Sequence, residues 1–457
     1  MRIIRICPTL THSLNYRKII KDKLVGKNFY EQLEIYKENE IVIPGSWAKG
    51  LEDLGCEKVI DILPQDMELQ FSWIETHKDE LQHNYYRLRT NFDFISTLME
   101  QINYYKPDFI YLYAGGWMVL PPKIRKYIIN HKHTIEHKDF QFTGMWADEL
   151  PKIWSYEDWF DYCPFFFVST NEYKKLCEKY TNKEIFVIGN SFSDYKKKIQ
   201  FKKDKTLDLV FTGTTGYGIP EHTYRYEILD FLCKNTNIRI FTNEMDHFKI
   251  YPLNFYIHLK VFIIKFTSLL PRIILSKLAK RYSENSKLSN LFNWAIRYKK
   301  LPENPIHYFS TSFHKNAKYF KDKKPLHKLY PDKVVIAENF GKRYNDIIAN
   351  SKIVINTHRD ELCDYGNIRD FEVTGLGSLL LTDKPDKMSE LFVDGKEYVS
   401  FKNKDDLLEK IEYYLKNDEK REEIALAGME KTHKNYLASH RALKIKKVLD
   451  EKINNKK

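Results

Sequence analysis

Short apolar runs alternate with segments of helical periodicity along most of this chain. The run IIRICP near the amino terminus precedes the helical segment SWAKGLEDLG and the run KVIDI, and the same order recurs in FISTLMEQINYY and DFIYLY. Strands that alternate with helices pair in parallel and form doubly wound sheets. At 457 residues the chain is too long for one core, so the pattern predicts two Rossmann-like α/β domains.

The domain boundaries follow from a change in composition. A polar, lysine-rich stretch from Asp194 to Thr206 separates the two α/β patterns and is the candidate linker. The predicted divisions are residues 1–200 for an N-terminal domain, 201–430 for a C-terminal domain with a helical insertion at 248–325, and 431–457 for a C-terminal helix and polar tail.

The cysteines and the first residues of the chain indicate the cellular compartment of the protein. The six cysteines are scattered and contain no C-x-x-C pair, so neither a zinc site nor a disulfide framework is indicated. Scattered cysteines fit a reducing cytosol. The opening run MRIIRICPTL is too short and too charged in its apolar part for a signal peptide and is predicted to be the first strand. We therefore expect a cytoplasmic protein.

The positive charge is concentrated in one segment. The chain has a net charge of +12, and residues 248–300 hold eleven basic residues against Glu284 alone, a net +10 that leaves about +2 elsewhere. Polar residues interrupt each apolar run before the roughly 20 residues that a spanning helix needs. The pattern favours an interfacial helix on an anionic membrane surface. The alternative is a helical hairpin packed on the domain with its lysines in water.

Nucleic acid is not an expected partner of this chain. Basic and aromatic residues interleave in residues 248–300, which is one feature of nucleic-acid-binding proteins. However, the sequence contains no RNA- or DNA-binding motif, and the positive charge does not extend beyond this one segment.

A glycine-rich turn follows the first strand of the second domain. The stretch VFTGTTGYG runs into Gly213, Gly216 and Gly218, at the carboxyl end of a strand, where open α/β sheets bind ligands. Such a turn brings backbone N–H groups close to a phosphate. The spacing is neither a dinucleotide fingerprint nor a P-loop, so an ordinary turn is the alternative. Arg225, one to two turns into the next helix, would face the same phosphate or the solvent.

A second strand of this domain also ends in polar residues. The stretch KIVINTHRD ends in Asn356, Thr357, His358 and Arg359, where a parallel sheet presents its ligands. His358 is therefore a candidate donor-binding residue. A hydrogen-bonded histidine at the rim of the sheet, with no part in chemistry, is the alternative.

Charged residues crowd the stretch DYGNIRDFEVTGLGSLLLTD. Asn367 is predicted to cap a helix whose third residue is Asp370, as in a capping box. Arg369 and Glu372 are three residues apart on that helix. Arg369 could bind a phosphate in bidentate fashion and Glu372 could accept hydrogen bonds from a ribose diol, or the two could simply form an ion pair. Asp364 precedes Glu372 with seven residues between them.

These stretches together carry a resemblance to a known family. The sequence from about Leu207 to the end, without its basic segment, resembles the nucleotide-sugar domain of GT-B glycosyltransferases, in particular the CgeB-like, spore-maturation-type branch of glycosyl transferases group 1. The motifs concerned are VFTGTTGYG with Arg225, YNDIIANSKIVIN, GNIRDFEVTGLGSLLLTD and FVDGKEYVSFKNKDDLLEKIEYYLKNDEKREEIALAG. The N-terminal half is similar in IPGSWAKGLEDLGCE, YYKPDFIYLY and GMWADE.

The resemblance implies two Rossmann-like domains that face each other across a cleft, with a nucleotide-diphosphate sugar in the C-terminal one. The acceptor, which is a glycan, a lipid-linked glycan or a protein, would bind the N-terminal domain. By position, Gly213, Gly216 and Arg225 would lie near the diphosphate, and Asn367, Arg369 and Glu372 near phosphate and ribose. Asp364 would approach the donor sugar, although the family's E-x7-E pattern has Glu there.

The absence of any Asp-x-Asp sequence agrees with an enzyme that needs no metal ion or other cofactor. Arginine, backbone N–H groups and a helix dipole would then stabilise the leaving diphosphate. Enzymes with E-x7-E are mostly retaining, which slightly favours that outcome. An inverting enzyme would need a general base, for which Asp148 and Glu149 are candidates. Trp146 and Asp148 could instead shape the acceptor cleft, and a solvated acidic loop is the other alternative. A non-catalytic binding or scaffold protein on this fold is the alternative.

Overall fold

A computed structural model gives the fold. It describes residues 1–7, 20–39, 46–63, 66–113, 141–146, 163–178, 181–218, 222–243, 266–267, 269–281, 319–320, 322–336, 341–358, 366–383 and 387–454.

The first half of the chain forms a six-stranded sheet in which every paired strand is parallel. Its order is β2-β1-β3-β4-β5-β6. Successive residues of a strand point to opposite faces, so Ile4 and Ile6 enter one apolar core and Ile3 enters the core on the other face. The strands are β1 Arg2–Ile6, β2 Lys58–Ile62, β3 Phe109–Leu112, β4 Gln141–Trp146, β5 Phe165–Val168 and β6 Glu184–Val187.

The second half forms another six-stranded parallel sheet, in the order β12-β11-β10-β7-β8-β9. The prediction of an α/β chain with two Rossmann-like parallel sheets is confirmed. The strands are β7 Leu207–Thr212, β8 Arg239–Thr242, β9 Val334–Ile336, β10 Ser351–Asn356, β11 Leu379–Asp383 and β12 Val399–Phe401.

Helices cover both faces of the two sheets. In the first half they are α1 Lys21–Leu24, α2 Phe29–Glu38, α3 Ser46–Asp53, α4 Met67–Thr76, α5 Lys78–Leu81, α6 His83–Thr90, α7 Phe94–Tyr105 and α8 Asn171–Glu178. In the second half they are α9 Thr223–Asn235, α10 Arg272–Arg281, α11 Leu326–Leu329, α12 Gly341–Ala349, α13 Ile368–Gly375, α14 Lys404–Lys416, α15 Asp418–Asn435 and α16 Ala438–Asn454.

The carboxyl edges of the two sheets face each other. Glu172 lies at the start of the helix after β5 and forms an ion pair with Lys387, which follows β11. Lys387 Nζ is 3.0 Å from Glu172 Oε1. Asn190, which follows β6, donates its side-chain N–H to the carbonyl oxygen of Gly366 at 3.1 Å. Both contacts join a residue that follows a strand of one sheet to a residue that follows a strand of the other. Residues that follow these strands therefore lie where the two halves meet.

The end of the chain returns to the first half. Helix α16 is amphipathic rather than wholly polar, and its buried side, with Ala442 and Ile445, joins the core that holds Trp47 of α3. A Cβ atom at Gly50 would lie only 3.0 Å from the Cβ of Ala442, so the two helices touch closely. The sequence predicted a helix here but not its packing partner.

Part of the predicted insertion at 248–325 is described. It includes α10, which lies between β8 and β9 in the chain. Among the described residues, no helix combines the length and the apolar character needed to cross a membrane.

Candidate functional site

The site lies at the switch point of the second sheet. Strands β7 and β10 are neighbours at its centre, and the chain proceeds from β7 towards one edge and from β10 towards the other. Ligands of open α/β sheets bind in the crevice that this reversal opens beyond the carboxyl ends of the strands. Here those ends are Thr212–Gly213 and Asn356–His358.

The turn after β7 requires glycine at two positions. Gly213 has a φ of +130° and Gly216 a φ of +84°, both in the region that side chains with a Cβ rarely adopt. A Cβ atom at Gly216 would also clash with the carbonyl oxygen of His222. The turn therefore lies directly against the start of α9, with its backbone close to the strand ends.

Arg225 joins this turn to the end of β10. Its Nε donates to Thr357 Oγ1 at 3.0 Å and its Nη2 donates to the Thr357 carbonyl at 3.0 Å. Its Nη1 donates to Thr214 Oγ1 at 3.2 Å. Because α9 begins at Thr223, Arg225 lies in its first turn, and the prediction that placed it one to two turns in was wrong.

Helix α13 begins at the same edge of the sheet, and its cap is the predicted one. Asn367 accepts a hydrogen bond from the Arg369 N–H through Oδ1 at 2.8 Å, and the Asn367 N–H donates to Asp370 Oδ2 at 2.8 Å. The Arg369 guanidinium extends over the glycine turn: a Cβ atom at Gly213 would lie 3.5 Å from its Nη2. Two arginines from different helices thus converge on one turn.

Glu372 is held by three donors. Its Oε2 accepts from Arg369 Nη1 at 3.0 Å and from the Tyr344 hydroxyl at 2.6 Å, and its Oε1 accepts from Lys196 Nζ at 3.3 Å. The ion pair between Arg369 and Glu372, considered above as an alternative to ligand binding, is thus present. The Glu372 side chain is 16% exposed, so it is not fully enclosed by these three partners.

Lys196 is a site residue that the sequence did not reveal. It belongs to the short 3-10 turn Asp194–Lys196 in the linker, and its side chain is 7% exposed. Its Nζ lies 5.6 Å from the centre of the Tyr344 ring. The sequence shows only that Lys196 belongs to a lysine-rich stretch, and no pattern in that stretch distinguishes a buried lysine from the exposed lysines around it.

His358 is buried between two carboxylates. Its Nε2 lies 2.9 Å from Asp370 Oδ2, and its Nδ1 lies 2.5 Å from Asp383 Oδ1. Asn356 donates to the other oxygen of Asp370 at 2.7 Å. With both ring nitrogens engaged and 3% exposure, His358 ties β10 to β11 and to the start of α13. Its binding of the donor stays a prediction, and these contacts favour a supporting position.

The carboxylates set the charge of this histidine. Burial alone lowers the pKa of His358, but Asp370 and Asp383 outweigh it and hold that pKa well above its ordinary 6.5. Burial alone raises the pKa of Asp383, and the histidine reverses this, so the pKa of Asp383 lies below its ordinary 3.8. An imidazolium beside the ionised carboxylate of Asp383 is therefore the stable state near neutral pH.

Other predicted residues lie outside the described part of the chain. These are Asp364, Arg359, Asp148 and Glu149. Gly218 has a φ of +72° and ends the glycine turn, and Trp146 ends β4. No group of three or more His, Cys, Asp or Glu side chains that could hold a metal ion occurs among the residues described.

Part of the chain matches a known family. Residues 305–447 match the family described as Glycosyl transferase-like. This range contains β10, the cap of α13, Arg369 and Glu372. No curated protein matches the chain.

Several solved structures are similar in outline. A sucrose-phosphate synthase from Thermosynechococcus elongatus aligns with a TM-score of 0.47 and 7% identity, over 91% of this chain and 94% of the other. The Anabaena protein HepE in complex with UDP and glucose aligns with a TM-score of 0.49 and 9% identity, over 99% and 100%. A glycosyltransferase from Rickettsia africae gives 0.45 and 11%, over 99% of each chain.

Proposed function

We propose that this protein is a GT-B glycosyltransferase, of the CgeB-like branch, that transfers a sugar from a nucleotide-diphosphate sugar. The observation that carries the proposal is the convergence of Arg225 and Arg369 on the glycine turn at the switch point of the second sheet. The match of residues 305–447 to the Glycosyl transferase-like family supports it. The acceptor would be a glycan, a lipid-linked glycan or a protein, as in the cytoplasmic steps of polysaccharide biosynthesis.

The chemical requirement of such a transfer is to stabilise the departing nucleoside diphosphate. A guanidinium offers paired N–H donors that match phosphate oxygens, and the backbone N–H groups of a glycine turn add further donors. Fixed donors of this kind stabilise the charge that develops in the transition state. Arg225 is fixed by its bonds to Thr357 and Thr214, and Arg369 by its bond to Glu372. We propose that they do this work without a metal ion.

Glu372 is the proposed partner of the ribose. A carboxylate oxygen accepts about two hydrogen bonds. From the part of the chain that the structure describes, Oε2 receives two, from Arg369 and Tyr344, and Oε1 receives one, from Lys196. The second lone pair of Oε1 is the place for a ribose hydroxyl. Lys196 would then orient the carboxylate for the ligand.

The sugar side of the reaction rests on residues outside the described part. We propose that Asp364 approaches the donor sugar, that retention of configuration is favoured, and that Asp148 is the base if the enzyme inverts. The acceptor would reach them from the first half of the chain, whose carboxyl edge faces the donor site.

Release of nucleoside diphosphate from a panel of nucleotide sugars tests the proposal. We expect one donor to be consumed, at an equal rate with and without EDTA, because no metal takes part. Chromatography of the products, with simple glycans and polyprenyl phosphate-linked sugars as acceptors, measures this release. Nucleotide binding without turnover of any donor would instead support the non-catalytic alternative. Loss of turnover in EDTA would contradict the metal-independent part.

A further inference from the structure

Large apolar side chains project into solvent around α10. Leu269 is 76% exposed and Ile273 is 71% exposed, and Ile274 beside them is 43% exposed. Leu275, in contrast, is fully buried, so the helix has one anchored side and one open side. Single exposed apolar residues are common on proteins, but several within one short stretch of the chain form a patch of the kind that marks an interaction site.

Cations lie on the same side as the apolar residues. Residues three or four apart share one side of a helix, and Ile273, Lys277 and Arg281 follow each other at this spacing. Both Lys277 and Arg281 are exposed. The open side of α10 therefore passes from apolar residues at its start to basic ones at its end.

The charge around the patch has one sign. Residues 269–281 contain Arg272, Lys277, Lys280 and Arg281 and no acidic residue. The longer stretch 248–300 has a net charge of +10, whereas the remainder of the chain is close to neutral. A partner for this surface must accept apolar side chains and supply negative charge next to them.

An anionic phospholipid surface meets both requirements. Amphipathic helices lie in the lipid interface with apolar side chains in the acyl boundary and basic ones among the headgroups. Anionic headgroups attract each Lys or Arg close to the surface. We propose that the side of residues 269–281 that carries Leu269, Ile273, Lys277 and Arg281 docks on an anionic membrane surface. This docking goes beyond the proposed reaction and does not depend on it.

Flotation of the full chain with lipid vesicles tests the docking. We use vesicles of phosphatidylcholine alone and of phosphatidylcholine with an equal part of phosphatidylglycerol. We expect binding to the anionic vesicles, weakened by salt, and little binding to the neutral ones. In the double variant Lys277→Glu/Arg281→Glu the partition coefficient falls about tenfold or more. In Leu269→Ser/Ile273→Ser it falls by a similar factor.

Two control variants test whether the loss of any exposed apolar or basic residue weakens vesicle binding. Val25 is 71% exposed and the Lys416 side chain is 77% exposed, and both lie outside residues 248–300. We expect Val25→Ser and Lys416→Glu to bind vesicles as the unmodified chain does. Circular dichroism and thermal unfolding of every variant show whether it is folded.

Three results would overturn the inference. The first is equal binding to neutral and anionic vesicles, and the second is unchanged vesicle binding in both patch variants. The third is self-association through the patch: Leu269→Ser/Ile273→Ser would abolish a size-exclusion shift of the chain without any effect on vesicle binding. Donor turnover is measured separately on the same variants. Loss of vesicle binding with unchanged turnover supports the docking whatever the reaction proves to be.

Discussion

We expect replacement of Arg225 by alanine to lower the rate of nucleoside diphosphate release by about 10²–10³-fold, the usual cost of removing one fixed donor that faces developing charge. Among the described residues, four hydrogen bonds to Thr357 and Thr214 position the side chain for this role. Steady-state rates with the donor identified by the panel measure the effect. The conservative variant Arg225→Lys keeps the charge but not the planar fork, and we expect it to recover only part of the rate.

The matched control is Arg239→Ala. Arg239 is an exposed arginine at the start of β8, away from the switch point. We expect its replacement to leave the rate within a factor of two or so of the original, as for most surface substitutions. If Arg225→Ala released nucleoside diphosphate as fast as the control, Arg225 would only stabilise the glycine turn and would not contact the diphosphate.

We expect replacement of His358 by alanine to destabilise the second half of the chain by about 3–5 kcal/mol, the cost of removing one partner from a buried ion pair. The change leaves Asp370 and Asp383 without the cation that lies between them. It also disconnects β10 from the cap of α13. Urea unfolding followed by circular dichroism measures the loss in the free energy of unfolding.

The loss in the free energy of unfolding depends on pH because the ion pair shifts the pKa values of His358 and Asp383. The raised pKa of His358 gives stability that is complete below its ordinary 6.5 and is lost as the pH rises through the raised value. The lowered pKa of Asp383 gives stability that is present above its ordinary 3.8 and is lost as the pH falls through the lowered value. The difference between the original chain and His358→Ala is therefore largest from pH 3.8 to 6.5 and shrinks on both sides.

A control for this experiment is His83→Ala, at an exposed histidine of α6. We expect a change within about 0.5 kcal/mol and no such pH profile. A difference for His358→Ala that stays constant from acid to alkaline pH would mean that the histidine is neutral and stabilises by packing alone.

The local features of this fold could be predicted from the sequence. Alternation of apolar residues predicted β2, and a continuous apolar run predicted β3. Glycine predicted the turns at Gly55 and Gly213, which both have positive φ. The capping box of Asn367 and Asp370 could also be predicted, because the two residues are three positions apart in the sequence. These are short-range effects, in which the neighbours in sequence are the neighbours in space.

The pairings between distant parts could not be predicted. Lys196 and Glu372 meet across 176 positions, and His358 meets Asp383 across 25. The return of α16 to the first half depends on complementary surfaces, such as Gly50 against Ala442, that no local pattern encodes. For the same reason His358 could be placed at a strand end but not between two acids. The geometry of the proposed donor site arises from such contacts between distant residues.

Ligand-induced stabilisation tests the central claim, that a nucleotide-diphosphate sugar binds between the glycine turn and α13. Thermal unfolding is followed with nucleoside diphosphates and their sugars, for the original chain and for Glu372→Ala, and each protein is compared with itself without ligand. We predict that one nucleotide stabilises the original chain by roughly 2.7 kcal/mol at 100-fold over Kd and that Glu372→Ala loses most of this gain. Absence of stabilisation by every nucleotide, or an equal gain in Glu372→Ala, would contradict the account.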